Sequence, residues 1–157
     1  MIDILAPQSY ATAPRPYIFL AGSIEMGTAE RWQARVIEAC RDMPGTILNP
    51  RRDDWDASWV QSIANEKFRE QVEWELDAQA NADLIAFYFS ADTKSPITLL
   101  ELGLCIQGPI IVCCPQGFWR KGNVDIVCRR HGVECTASFE DFVERIRAWV
   151  MAPAVKR

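Results

Sequence analysis

Glu101 is the residue in this sequence least at home among its neighbours. It sits in Leu99-Leu100-Glu101-Leu102-Gly103-Leu104, within the first turns of an expected helix that must pack on a sheet. A carboxylate in apolar company either pairs with a cation or does chemistry, because an uncompensated buried charge is costly. The plainer reading is a solvent-facing acid that profits from the dipole of the helix N-terminus. Glu75 lies beside Val72 and Leu76, at the margin of another apolar stripe. Two carboxylates converging on one crevice suit glycosidic chemistry, one as nucleophile and the other handling the proton. A third feature is Gly22-Ser23-Ile24-Glu25-Met26-Gly27, which follows a short apolar run. Its glycines let a ligand approach the backbone, and a following helix N-terminus offers N–H groups to an anion or hydroxyl. It is neither a GxGxxG fingerprint nor a P-loop, and a glycine turn made only for packing fits as well.

These residues need elements to hold them. Tyr17 to Ala21 reads as a buried strand ending in Gly22-Ser23, and Thr28 can cap a helix from about Ala29 to Arg41. Pro44-Gly45 breaks that helix, and Thr46 to Leu48 makes a second strand. Asn49 to Trp59 is polar, charged and aromatic together, with too many large side chains for a plain linker. A helix from about Ser62 to Ala80 carries Phe68, Val72 and Leu76 on one face at four-residue steps. Such a start puts Glu75 about 20 Å along the helix, and a later start would bring it nearer the end. Asp83 to Phe89 is an apolar strand, after which Ser95 and Pro96 open a helix to about Gln107. Ile110 to Cys114 and Val133 to Cys135 supply two more strands, separated by a helix near residues 122–130. Ser138 caps a last amphipathic helix.

Continuous apolar strands alternating with amphipathic helices predict an α/β fold of three layers, a parallel sheet covered on both faces. The expectation is a doubly wound five-stranded sheet in the flavodoxin-like order 2-1-3-4-5. Residues 1–16 read as an N-terminal arm, 17–152 as one domain and 153–157 as a tail. Ligands in such sheets sit at the carboxyl ends of the strands, where strand order reverses. The loops after the first, third and fourth expected strands are therefore the places to look.

Composition narrows the function classes. The chain has 157 residues, 49% apolar, with 21 Asp+Glu against 17 Lys+Arg. That length buries roughly 68–70% of the unfolded surface, and the apolar content argues against disorder. The acidic balance disfavours a nucleic-acid polymer, which is gripped through a basic face, and leaves small ligands open. No apolar run approaches the ~20 residues that cross a bilayer, and the N-terminus lacks the pattern of a secretory signal. Six cysteines without a CxxC, and the single His131, give zinc little to bind. They read as reduced core thiols of a cytoplasmic protein.

The segments FLAGS (Phe19 to Ser23), NPRRDDW (Asn49 to Trp55), VEWEL followed by ADLIAFYF, SPITLLELG (Ser95 to Gly103) and GFWRKGNVDIV (Gly117 to Val127) resemble the nucleoside 2-deoxyribosyltransferase family. The resemblance runs from about Tyr17 to Val133, and its ELG motif is the most specific part. It implies that Glu101 is the nucleophile attacking C1′ of deoxyribose and forming a covalent deoxyribosyl-enzyme. Glu75 falls where the family usually has an Asp that manages the proton on the leaving base. Phe19 stands in place of a family tyrosine and lacks its hydroxyl. Gly22 and Ser23 would line the sugar pocket, while Asn49, Arg51, Asp53 and Trp55 would stack on and hydrogen-bond to the base. Ser95 falls near the phosphate contact of the related deoxynucleoside-monophosphate N-glycosidases. Asn123 and Asp125 fall where the family lends a polar residue to a neighbouring subunit, implying a homodimer at least. Phe118-Trp119 belongs either to that interface or to a loop packed on its own domain. The implied reaction is transfer of 2-deoxyribose between nucleobases, with no metal or organic cofactor. A hydrolase of deoxynucleosides or their 5′-monophosphates, and a binding module without turnover, are the two rival readings.

Overall fold

Tyr17–Gly22 and Leu84–Tyr88 are apolar at nearly every position, and both become central strands buried on two faces. The computed structural model describes residues 1–24, 29–52, 55–56 and 58–152. In chain order the strands are β1 (Ile2–Leu5), β2 (Tyr17–Gly22), β3 (Thr46–Asn49), β4 (Leu84–Tyr88), β5 (Ile110–Cys113) and β6 (Cys135–Thr136). The helices are α1 (Trp32–Cys40), α2 (Glu66–Asn81), α3 (Pro96–Cys105), α4 (Lys121–Arg130) and α5 (Phe139–Met151). Every strand pairing is parallel, and the order across the sheet is β1-β3-β2-β4-β5-β6.

The expected five-stranded flavodoxin-like sheet is thus corrected to six strands among the described residues. The additional one lies inside the segment read as an arm. Ile2 to Leu5 pairs residue by residue with Thr46 to Asn49, and the Ala6 N–H continues the ladder to the Asn49 carbonyl at 3.0 Å. Four residues, mostly exposed, carry too little hydrophobic pattern to read as a strand. The unpaired outer edge of β3 supplies the partner that the local sequence cannot announce. The rest of the segment packs down too. Trp74 Nε1 donates to the Gln8 carbonyl at 2.8 Å, and the Tyr17 hydroxyl donates to the Tyr10 and Ala13 carbonyls.

Alternation along the strands divides two cores. Phe19, Ala21, Ile85, Phe87 and Val112 face Leu102, Ile106, Val124 and Cys128 of the α2–α3–α4 layer. Ile18, Leu20, Ala86 and Tyr88 face Trp32, Val36, Phe142 and Ile146 of α1 and α5. All six cysteines are free thiols, four of them buried. Among the described residues no helix is long and apolar enough to cross a membrane.

Two local differences matter for the site. Helix α2 begins at Glu66, four residues later than Ser62, because the Asn65 side chain caps it by accepting from the Phe68 N–H at 3.2 Å. Glu75 is therefore about 14 Å from the helix start at ~1.5 Å per residue. The apolar stripe of α2 also turns away from the sheet. Leu76 is 47% exposed, and the buried residues of the helix are Gln71, Ala78 and Gln79.

Candidate active site

Helix α3 is sorted against expectation. Its buried residues are Thr98, Glu101 and Leu102, whereas Ile97, Leu100 and Leu104 are more than half exposed. The helix thus hides an acid and displays three aliphatic side chains. The reason is a cavity of about 620 Å³ between α3, α2 and the carboxyl ends of β2 and β3. Glu101 and Glu75 lie in its wall, with Phe19, Gly22, Arg51, Trp55 and Ser95. The apolar lining is continued by Phe68, Val72 and Leu76 of α2, the stripe that was expected to face the core.

The two carboxylates reach the cavity from different helices, each held by an amide. Glu101 Oε1 accepts from Gln79 Nε2 at 2.5 Å, and Glu75 Oε1 accepts from Gln71 Nε2 at 2.7 Å. Gln71, Glu75 and Gln79 follow one another at four-residue steps and share one face of α2. Gln71 is anchored in turn by donating to the Pro50 carbonyl at 2.9 Å and by accepting from Arg52 Nη1 at 3.4 Å. Burial drives the Glu101 carboxyl up to about 7, against the lowering pull of the Gln79 hydrogen bond. Burial likewise raises Glu75 to about 8, opposed by Gln71 and reinforced by the negative charge of Glu101. Glu101 is the sixth residue of α3, past the first turn where a helix dipole would favour its ionised form. Near neutrality the pair can hold one proton and one charge.

Gly22 serves packing and the cavity alike. A Cβ there would collide with the Tyr88 carbonyl and come within 2.6 Å of Trp32 Cζ2. Ser23 does not line the cavity. Its hydroxyl is buried in a knot with Thr93 Oγ1 at 2.8 Å and Ser95 Oγ at 2.6 Å, and it accepts from the Ser90 N–H at 2.9 Å. That knot ties the end of β2 to the loop after β4. Ser95 precedes α3 in a left-handed conformation (φ 45°) and makes no side-chain cap; its hydroxyl goes to the knot instead. Ser95 thus holds the expected N-cap position, with Pro96 opening the helix, but without the side-chain hydrogen bond of a cap.

Asn49 is buried and stands outside the cavity lining. Its Oδ1 accepts from the Arg51 N–H at 3.0 Å and shapes the turn that follows β3. Arg51 reaches the cavity while its guanidinium clamps the approach to α1. It donates to the Glu30 carbonyl at 2.7 Å, the Ala29 carbonyl at 2.9 Å and Gln33 Oε1 at 3.3 Å. Trp55 meets Trp59 tilted (5.1 Å between centroids) and Phe68 edge-on (6.4 Å), presenting an aromatic wall. Its Nε1 is buried and has no hydrogen-bond partner among the described residues. Asp53 and Thr28 lie outside the described residues. Asn123 and Asp125 sit on α4, away from this cavity; Asn123 is exposed, and Asp125 pairs with Lys121 at 2.8 Å. Phe118 is buried against Phe89, while Trp119 is half exposed and donates to the Lys94 carbonyl at 2.9 Å.

The loops that build the cavity follow β2, β3 and β4. The loop after β5, expected to contribute, instead borders a second hollow lined by Glu30, Tyr88 and Asp92. Gln71 and Gln79 carry no mark of function in the sequence, and Arg52 stands out only as part of the NPRRDDW segment. The available signal was the spacing Gln71-x3-Glu75-x3-Gln79, a polar line in register with the acid and adjacent to the apolar stripe.

Comparison with known proteins agrees with this arrangement at the level of fold and family. No curated protein matches the chain. A crystal structure described as a conserved protein from Enterococcus faecalis V583 shares 16% identity with a TM-score of 0.58. The match covers 85% of this chain and 98% of that one. At that identity the likeness speaks to the fold alone. The family model described as "Nucleoside 2-deoxyribosyltransferase like" matches residues 15–118, a span that holds both carboxylates and every described residue of the cavity wall. The chain belongs to the nucleoside 2-deoxyribosyltransferase-like family.

Proposed function

We propose that this protein cleaves and re-forms the N-glycosidic bond of 2′-deoxynucleosides, passing deoxyribose from one nucleobase to another. The observation that carries the reading is the pair of electrostatically coupled carboxylates, Glu101 buried and Glu75 half-buried, in the wall of a cavity of about 620 Å³. Ligand cavities of this kind fall within ≈ 300–1,000 Å³.

In this reading Glu101 is the ionised nucleophile and Glu75 keeps the proton: burial raises both acids, the Gln79 hydrogen bond favours the Glu101 carboxylate, and the charge of Glu101 raises Glu75 further. A Glu101 carboxylate oxygen attacks C1′ as the C1′–N bond breaks. The bonding electron pair leaves with the base nitrogen, which takes the proton of Glu75. The oxocarbenium character of the transition state is met by the charge of Glu101 across a desolvated contact. The product is a deoxyribosyl ester on Glu101. A ring nitrogen of the second base then attacks C1′, giving its proton to the Glu75 carboxylate, and the ester oxygen leaves. Two inversions leave the configuration at C1′ retained. Trp55, Phe68 and Val72 offer the base an apolar and aromatic wall. Phe19 supplies shape to the sugar end without a hydroxyl. Asn123 and Asp125, remote from the cavity of their own chain, serve a neighbouring copy in a homo-oligomer.

The test is mass spectrometry after incubation with a 2′-fluoro-arabino nucleoside, whose fluorine slows the second step. One sugar attached to the peptide containing Glu101, absent in Glu101→Gln, is the expected result. An unmodified wild-type chain under prolonged incubation overturns the proposal. Incubation with one deoxynucleoside, with and without a second free base, separates transfer from hydrolysis: a transferase forms the new nucleoside, a hydrolase free sugar in both cases.

A further inference from the structure

Glu101 accepts one hydrogen bond from the described residues, and that bond comes from α2, not from its own helix. The donor, Gln79, is 6% exposed and so closed to solvent. Its amide is also fixed in direction. Cys105 Sγ, one turn beyond Glu101 on α3, donates to Gln79 Oε1 at 3.4 Å, which leaves Nε2 for Glu101. Cys105, Gln79 and Glu101 therefore form a short chain of donors running from the back of α3, through α2, to one oxygen of the carboxylate. Glu101 Oε2 carries no hydrogen bond from any described residue, and Glu101 itself lies in the cavity wall.

We infer that Gln79 is the positioning residue of Glu101: its amide pins Oε1 so that Oε2 is left to the cavity as the attacking atom. The inference rests on the function proposed above and adds a residue to it. A carboxylate on a flexible two-carbon stem samples several rotamers, and pinning one oxygen holds the other within reach of C1′. The amide also favours the ionised form, because an N–H donor stabilises a carboxylate more than a carboxylic acid. It does so without the charge of a Lys or Arg, which would blunt the nucleophile. Among the described residues, the other groups facing Glu101 are few. Glu75 approaches from α2, Cys105 lies on its own helix, and Arg51 and Arg52 border the cavity from the loop after β3. Strand β2 contributes only Phe19, Ala21 and Gly22 to that wall.

The experiment follows Glu101 directly by NMR of protein carrying 13C in its glutamate carboxyls, with the resonance identified by its loss in Glu101→Gln. Gln79→Met keeps the length of the side chain and removes the donor. The expected result is an upward move of the Glu101 midpoint by about one to two pH units. The acidic limb of labelling by the 2′-fluoro-arabino nucleoside moves by the same amount. An unchanged midpoint in a folded Gln79→Met protein overturns the inference. Should that variant fail to fold, the wild type still decides the matter. The Gln79 Nε2 protons must then titrate with the midpoint of Glu101, and indifference to it is equally fatal. Labelling of the wild type with no shift in Gln79→Met defeats this inference alone, whereas a wild type that titrates as described yet is never labelled defeats the proposed function.

Discussion

Replacing Glu101 by Gln should make the protein more stable at neutral and alkaline pH while ending its chemistry. The magnitude follows from burial. The carboxyl is raised from 4.5 to about 7 in the folded chain. A raised acid favours folding most when protonated, so its contribution is fully present below pH 4.5 and is lost as pH rises through 7. At 1.36 kcal/mol per pKa unit the loss comes to about 3 kcal/mol. Glutamine keeps the shape and has no charge to desolvate, and its carbonyl can still accept from Gln79 Nε2. The stability difference between variant and wild type should therefore be near zero at pH 4. It should grow to about 3 kcal/mol at pH 8, or roughly 6–12 °C in Tm for a chain of this size. Thermal melts of both proteins from pH 4 to pH 9 read this difference. A gap that does not change with pH, or a variant less stable at pH 8, would refute the assignment of Glu101 as a desolvated acid.

Three further predictions concern the two acids and the strand beside them. The pH–rate profile of base exchange should be a narrow bell, rising as Glu101 ionises near 7 and falling as Glu75 loses its proton near 8. Glu75→Gln should remove the alkaline limb and slow exchange by about 10²–10⁴-fold, measured by steady-state kinetics; a wild-type alkaline limb retained in that variant contradicts the role of Glu75. Gly22→Ala forces a methyl group onto the Tyr88 carbonyl and the Trp32 ring, and should cost about 1–3 kcal/mol or more in chemical denaturation. A neutral effect would mean that β2 and β4 are not held as closely as described.

The hydrophobic pattern alone was enough for the parallel three-layer fold, because β2 and β4 are runs with no polar face and the helices between them are amphipathic. The same logic singled out Glu101, since a charge inside an apolar run breaks the local rule, and the fold does bury it in a cavity wall. It could not find β1, whose four residues become a strand only because the edge of β3 is there to pair with them. Nor could it tell that the apolar stripe of α2 and the leucines of α3 line and rim a cavity instead of filling a core. Periodicity says which residues share a face; it does not say what that face meets. The partners of the two acids were hidden for the same reason. Gln71 and Gln79 read as ordinary polar residues on a helix, and only the packing of α2 against α3 and the loop after β3 turns them into the buried donors of Glu75 and Glu101. Side-chain type and spacing settle what a residue can do, whereas burial, which sets the proton affinity of an acid, is a property of the assembled fold.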